Sequence, residues 1–166
     1  MARIGIFGGS FNPPHLGHIL AVEEFRTQLR LDRVIMIPAG DPPHKDLSSN
    51  SPTAWQRYEM TCLAAKELPC TEVSQIEISR PGRSYTADTL ALLRKEFPED
   101  EFFLLMGTDM FYSFASWYRP DAIVKEPVFE PVVGCAICRA FDEGRDPEKF
   151  KDKIISEFAD FLYKKQ

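Results

Sequence analysis

Two histidines three residues apart, His15 and His18, follow directly on a stretch rich in glycine and proline: Gly8-Gly9-Ser10-Phe11-Asn12-Pro13-Pro14-His15-Leu16-Gly17-His18. Gly8 and Gly9 place no side chain where a phosphate would approach the backbone. Pro13-Pro14 stiffens the turn, and a helix is expected to begin near His15 or Leu16. A helix N-terminus offers free N–H groups and a favourable dipole to an anion. Residues i and i+3 share a helix face, so His15 and His18 would aim two imidazole donors at one phosphate group. A single histidine in a turn is ordinarily a surface residue. A pair after a glycine-rich strand end points to phosphate chemistry. The string is not a P-loop, since no Gly-Lys-Ser/Thr follows, and it is not the G-x-G-x-x-G dinucleotide fingerprint.

Such a loop needs a strand before it and a helix after it. Residues 3–7 form an apolar run closed by Gly8-Gly9, which reads as a buried first strand. Over 16–29, Val22, Phe25 and Leu29 fall at helical spacing. Residues 33–37 read as a second strand stopped by Pro38, followed by a loop rich in Pro, Gly and Ser to about residue 51. Ser51-Pro52 is expected to open a helix, with Met60, Leu63 and Ala64 on its inner face. Residues 72–78 alternate as a strand would. Ser84 precedes a helix carrying Thr86, Leu90, Leu93 and Phe97 on one side, ended by Pro98. Phe102 to Met106 is a fully buried strand, with short helical stretches near 109–114 and 120–125. A last strand is expected at 131–138, and Phe150, Ile154, Phe158, Phe161 and Leu162 mark an amphipathic helix. Strands alternating with helices give an α/β class. The expected fold is a Rossmann-like, doubly wound, mostly parallel sheet with helices on both faces, in a single domain over residues 1–166. Ligands of such sheets bind at the carboxyl ends of the strands, here the loops after residues 7, 37 and 106.

Composition narrows the function classes. The chain has 166 residues, 44% hydrophobic and 27% charged, enough for one domain that buries roughly 70% of its unfolded surface. The net charge of −5 and the absence of a basic stripe argue against a nucleic-acid partner. No apolar run is long enough for a membrane span, and the N-terminus lacks the features of a signal peptide, so a cytoplasmic location is expected. Cys135-Ala136-Ile137-Cys138 is a lone C-x-x-C inside an apolar run. It reads as buried strand rather than as a zinc or redox site.

The full string from Gly8 to His18 resembles the signature of the H-x-G-H nucleotidyltransferases. Four further segments narrow the resemblance: Pro42-Pro43-His44-Lys45, Ser84-Tyr85-Thr86-Ala87-Asp88-Thr89-Leu90, Gly107-Thr108-Asp109 and Trp117-Tyr118. In this order they resemble the bacterial nicotinate-nucleotide adenylyltransferases over about residues 3–139. Taken singly, Lys45 is a loop cation, Asp109 a helix cap and Trp117 a core aromatic. The resemblance implies that Gly8, Gly9, Ser10, Phe11, His15 and His18 hold the ATP phosphates, with His18 and His15 as the catalytic pair. It implies that Gly107 and Asp109 line the adenosine and ribose region, and that Lys45 approaches a phosphate. Thr86, Trp117 and Tyr118 would form the pyridine pocket, with Arg139 a further contact for a substrate anion. ATP with Mg²⁺, and nicotinate mononucleotide, are the implied substrates, with no metal held by the protein itself. Members of that family carry a C-terminal Ser-Ser-Thr-x-x-Arg-like motif, for which this sequence has no match. Three other readings remain: adenylyl transfer to nicotinamide mononucleotide or another phosphate ester, cytidylyl transfer, and nucleotide binding with weakened catalysis.

Overall fold

Five parallel strands in the order β3-β2-β1-β4-β5 form the sheet. In this computed structural model the described residues are 1–124 and the backbone of 129–133. The strands are β1 (Arg3–Gly9), β2 (Arg33–Pro38), β3 (Thr71–Val73), β4 (Glu101–Met106) and β5 (Phe129–Val133). Helices α1 (Leu16–Gln28), α2 (Ala54–Ala65) and α3 (Thr86–Glu96) connect them. Short α4 (Thr108–Ser113), a 3₁₀ turn at Phe114–Ser116 and α5 (Pro120–Val124) follow β4.

The period of two along each strand divides the core. Ile4, Ile6, Ile35, Ile37, Phe102, Leu104 and Met106 face α3, Phe114 and Ile123. Val34, Met36, Phe103 and Leu105 face Val22 and Phe25 of α1 and Ala65 of α2. Both faces of the sheet are thus covered, as the near-continuous apolar strands required. Gly5 is needed at the centre of β1, where an added Cβ would lie 2.7 Å from Leu31 and 2.9 Å from Leu105. The chain order reverses between β1 and β4, so the loops after these strands flank the switch point.

Several local expectations change. The cap of α2 is Thr53, whose hydroxyl accepts the Gln56 N–H while the Gln56 side chain accepts the Thr53 N–H. This reciprocal box starts the helix after Pro52, not at it. Its inner face is Arg57, Thr61 and Ala65, with Leu63 73% exposed. The apolar pattern misleads because this face meets loop carbonyls, which need a donor. The strand expected at 72–78 ends at Val73. Beyond it the Ser74 N–H donates to the Met36 carbonyl of β2 at 2.9 Å, and the chain turns. Ser84 precedes α3 as expected, with Tyr85 between them as the N-cap. The last strand begins at Phe129, and residues 134–138, Cys135 and Cys138 included, lie outside the described residues, as does the helix expected at 150–162.

Candidate functional site

A cavity of about 630 Å³ opens at the carboxyl ends of β1, β2 and β4. It is lined by Gly8, Gly9, Ser10, His15 and His18 from the first loop, and by His44 and Lys45 from the second. Thr86 comes from the start of α3, Gly107 and Asp109 from the end of β4, and Trp117 from beyond the 3₁₀ turn. Most of the candidate residues therefore converge, although they come from five separate segments. Phe11 contributes differently, since its ring is 1% exposed and packs in the core beside Phe7. Tyr118 does not line the cavity; its ring lies on Tyr85 with centroids 4.4 Å apart. Arg139 lies outside the described residues.

His15 is the N-cap of α1 in extended backbone, and His18 sits one turn on. The His15 backbone N–H donates to His18 Nδ1 at 3.1 Å, and the two rings stack with centroids 3.7 Å apart. Phe11 stands edge-on to His18 at 5.0 Å. With Nδ1 accepting, a neutral His18 carries its proton on Nε2. Burial, then the charges of His15 and Lys45, lower the His18 pKa to about 4. At neutral pH the free protein thus holds an uncharged imidazole with one N–H to donate.

The far side of the cavity from the histidine pair is built on α3 and Trp117. Trp117 Nε1 donates to Ser113 Oγ at 3.3 Å, and the ring packs against Phe114. His44 lies nearly parallel to it, centroids 5.5 Å apart. Gly107 leaves room for Asp109, whose Oδ1 would lie 2.8 Å from any Cβ there. Behind Thr86, Glu77 is buried with its Oε1 accepting the Thr89 hydroxyl at 2.7 Å. Ser84 accepts the N–H groups of Gly40 and Asp41, which fixes the second loop to the base of α3. Gly40 is required here, because a Cβ would meet the Glu77 carbonyl at 2.6 Å. His44, Glu77 and Ser84 are site residues that sequence reasoning does not select. His44 carries a signal beside Lys45, whereas Glu77 falls in a segment that reads as ordinary strand.

Burial raises the Glu77 pKa to about 7, against the lowering effects of Thr89, Arg80 and Ser84. Glu77 and His18 have opposite consequences for stability. Between pH 4 and 6.5 the unfolded chain binds more protons at His18 than the folded chain does, so this site makes stability rise with pH. Between pH 4.5 and 7 the folded chain holds the Glu77 proton more tightly, so stability falls with rising pH. The two slopes largely cancel across their shared window. Glu77→Gln removes one of them. Thermal melts of that variant will gain stability from pH 4.5 to 6.5 relative to the unsubstituted protein, and His18 in an imidazole NMR titration will have its midpoint near 4. A His18 midpoint near its ordinary value would remove the first slope, and a Glu77→Gln protein whose stability tracked its parent from pH 4.5 to 6.5 would remove the second.

A parallel sheet in this order, with paired imidazoles at the first loop and one cavity across the switch point, defines a nucleotidyltransferase. The cytidylyltransferase-like family model matches residues 6–135. A probable nicotinate-nucleotide adenylyltransferase of Thermus thermophilus is 41% identical, over 95% of this chain and 96% of that protein. One of Geobacter metallireducens is 47% identical over 73% of this chain, which corresponds to 56% of its own length. Nicotinic acid mononucleotide adenylyltransferase of Plasmodium falciparum, solved in complex with NaAD, matches in fold with a TM-score of 0.63 at 14% identity. That match covers 95% of this chain and 96% of the other. This chain belongs to the nicotinate-nucleotide adenylyltransferase family. No helix among the described residues is long and apolar enough to cross a membrane.

Proposed function

We propose that this protein transfers the adenylyl group of ATP to nicotinate mononucleotide, forming deamido-NAD and pyrophosphate in the cytoplasmic synthesis of NAD. One observation carries the reading: the His15–His18 pair and the Trp117–Thr86 end line the same cavity, so a nucleotide phosphate and an aromatic acceptor can meet there. The acceptor phosphate attacks the α-phosphorus of ATP. A new P–O bond forms, and the bond from that phosphorus to the bridging oxygen of pyrophosphate breaks. The nucleophile is already an anion and needs no general base. Catalysis is alignment plus stabilisation of charge on the transferring group. His18 Nε2–H supplies the central donor and the Gly8–Phe11 backbone the rest of the phosphate cradle. Asp109 and Gly107 take the adenosine ribose, and Lys45 the acceptor phosphate. Trp117 and Thr86 take the pyridine and its carboxylate. Mg²⁺ enters with ATP as part of the substrate, bound by triphosphate oxygens.

Pyrophosphate release with Mg²⁺–ATP tests this directly. Release is expected with nicotinate mononucleotide and much less with nicotinamide mononucleotide. Equal rates would make the acceptor pocket indifferent to the carboxylate. No release with either, from folded protein that binds ATP, would refute the reaction.

A further inference from the structure

Arg57 belongs to no motif of the site, yet it is the largest of the fully buried side chains, at 1% exposure. Its guanidinium lies beneath the first two loops. One terminal nitrogen, Nη1, donates to the Ser10 carbonyl at 2.6 Å, and the other, Nη2, donates to the Gly40 carbonyl at 3.1 Å. Among the described residues no carboxylate pairs with it, and its Nε has no partner. A buried cation without a counter-charge is costly to keep. Two backbone bonds alone would be met more cheaply by a neutral donor.

What Arg57 holds gives the reason. In a trans peptide the C=O and N–H point in opposite directions. Fixing the Ser10 carbonyl toward Arg57 therefore aims the Phe11 N–H away from the guanidinium. Among the described residues the Phe11 N–H has no acceptor. Phe11 itself takes φ 43°, a left-handed conformation that a bulky side chain rarely adopts. That strain is held by its buried ring on one side and by the Arg57 bond on the other. The preceding carbonyl, Gly9, is fixed by the Ala39 N–H at 2.9 Å. The loop is thus clamped on two successive carbonyls, and the Phe11 ring is held 5.0 Å from that of His18.

We infer that Arg57 is a positioning residue for phosphoryl transfer: it turns the Ser10–Phe11 peptide so that the Phe11 N–H, with His18, donates to the triphosphate. The inference rests on the nucleotidyltransferase reading of the site.

Arg57→Lys tests it, because an ammonium keeps the charge but cannot span both carbonyls as the planar fork does. In the folded variant, kcat is expected to fall about tenfold and KM for ATP to rise by a similar factor, the loss of one aligned donor. KM for nicotinate mononucleotide is expected to stay unchanged. Equal losses for both substrates with kcat retained would mark Arg57 as a general strut and overturn the assignment. The Phe11 amide in the unsubstituted protein provides a second measurement that needs no variant. Titration with inorganic triphosphate is expected to move its ¹H–¹⁵N resonance downfield, and in Arg57→Lys to move it far less. A Phe11 resonance unmoved by triphosphate overturns the inference, whether or not the variant folds. Failure of the unsubstituted protein to release pyrophosphate would instead refute the assigned reaction, which the amide titration does not depend on.

Discussion

Replacement of His18 by Ala is expected to lower kcat by about 10²- to 10³-fold, the cost of one donor aimed at developing charge. The size follows from how His18 is held. Its Nδ1 is occupied by the His15 N–H, so Nε2–H is the group left for the substrate. Phe11 and Phe7 stand against the ring, which limits its rotation and excludes water from part of its surface. Such a donor needs little reorganisation as charge builds on the α-phosphoryl oxygens. The low pKa of the free state sharpens the expectation. Burial first, then the charges of His15 and Lys45, disfavours a charged His18 before ATP binds, while a bound triphosphate supplies a negative charge that favours it. ATP binding should therefore raise the His18 pKa, with proton uptake below neutral pH. The His18→Ala protein should still bind ATP, since the backbone cradle remains, so the loss falls on kcat more than on KM. Thermal melts control for the lost stacking with His15. A folded His18→Ala protein with unchanged kcat would take His18 out of the reacting site.

How far these residues can be found without the structure depends on what kind of contact defines them. His15 and His18 are legible because their spacing, the glycines before them and the strand end they follow all lie within eleven consecutive residues. The strands are equally plain, since a sheet covered on both faces demands apolar side chains in every register. Arg57 and Glu77 are not legible. Arg57 sits where helical periodicity asks for an apolar residue, and its burial is justified only by the carbonyls of Ser10 and Gly40, far from it in the chain. Glu77 alternates correctly for a strand, but β3 is an edge strand that ends at Val73. Its carboxyl is buried because α3 lays Thr89 across it. Tyr118 departs from its neighbour in the chain. Adjacent to Trp117, it reads as part of the same pocket, yet successive residues at an extended turn point to different sides, and its ring meets Tyr85 instead. Local pattern reports the elements and the phosphate loop; the polar supports beneath the loop are set by tertiary contact.

Trp117→Ala should raise KM for nicotinate mononucleotide by about 10- to 100-fold, the loss expected for truncating an aromatic anchor at a stacking contact, with KM for ATP unchanged. One side of the indole rests against Phe114 and its Nε1 is tied to Ser113, so the ring is fixed before any ligand arrives. Its other contact is the His44 imidazole at 5.5 Å. Two rings in contact with a third between them must stand roughly 7 Å apart, twice a stacking distance, so a pyridine cannot enter between Trp117 and His44 as they stand. Either the pyridine takes the place of His44 on the indole, or His44 moves outward and closes over it. The two routes differ in outcome. If His44 only occupies the site, His44→Ala lowers KM for the nicotinate nucleotide. If it closes over the ring, His44→Ala raises KM, and its effect vanishes in the Trp117→Ala background because the pair acts as one clamp. His44 is exposed and lies next to Lys45 in the loop after β2, so closure would bring the Lys45 ammonium toward the acceptor phosphate in the same movement. The clamp therefore predicts that Trp117→Ala also weakens the contribution of Lys45. Trp117→Phe, which keeps a stacking ring, should restore most of the affinity. If Trp117→Ala instead changed only KM for ATP, the pyridine pocket would lie elsewhere in the cavity.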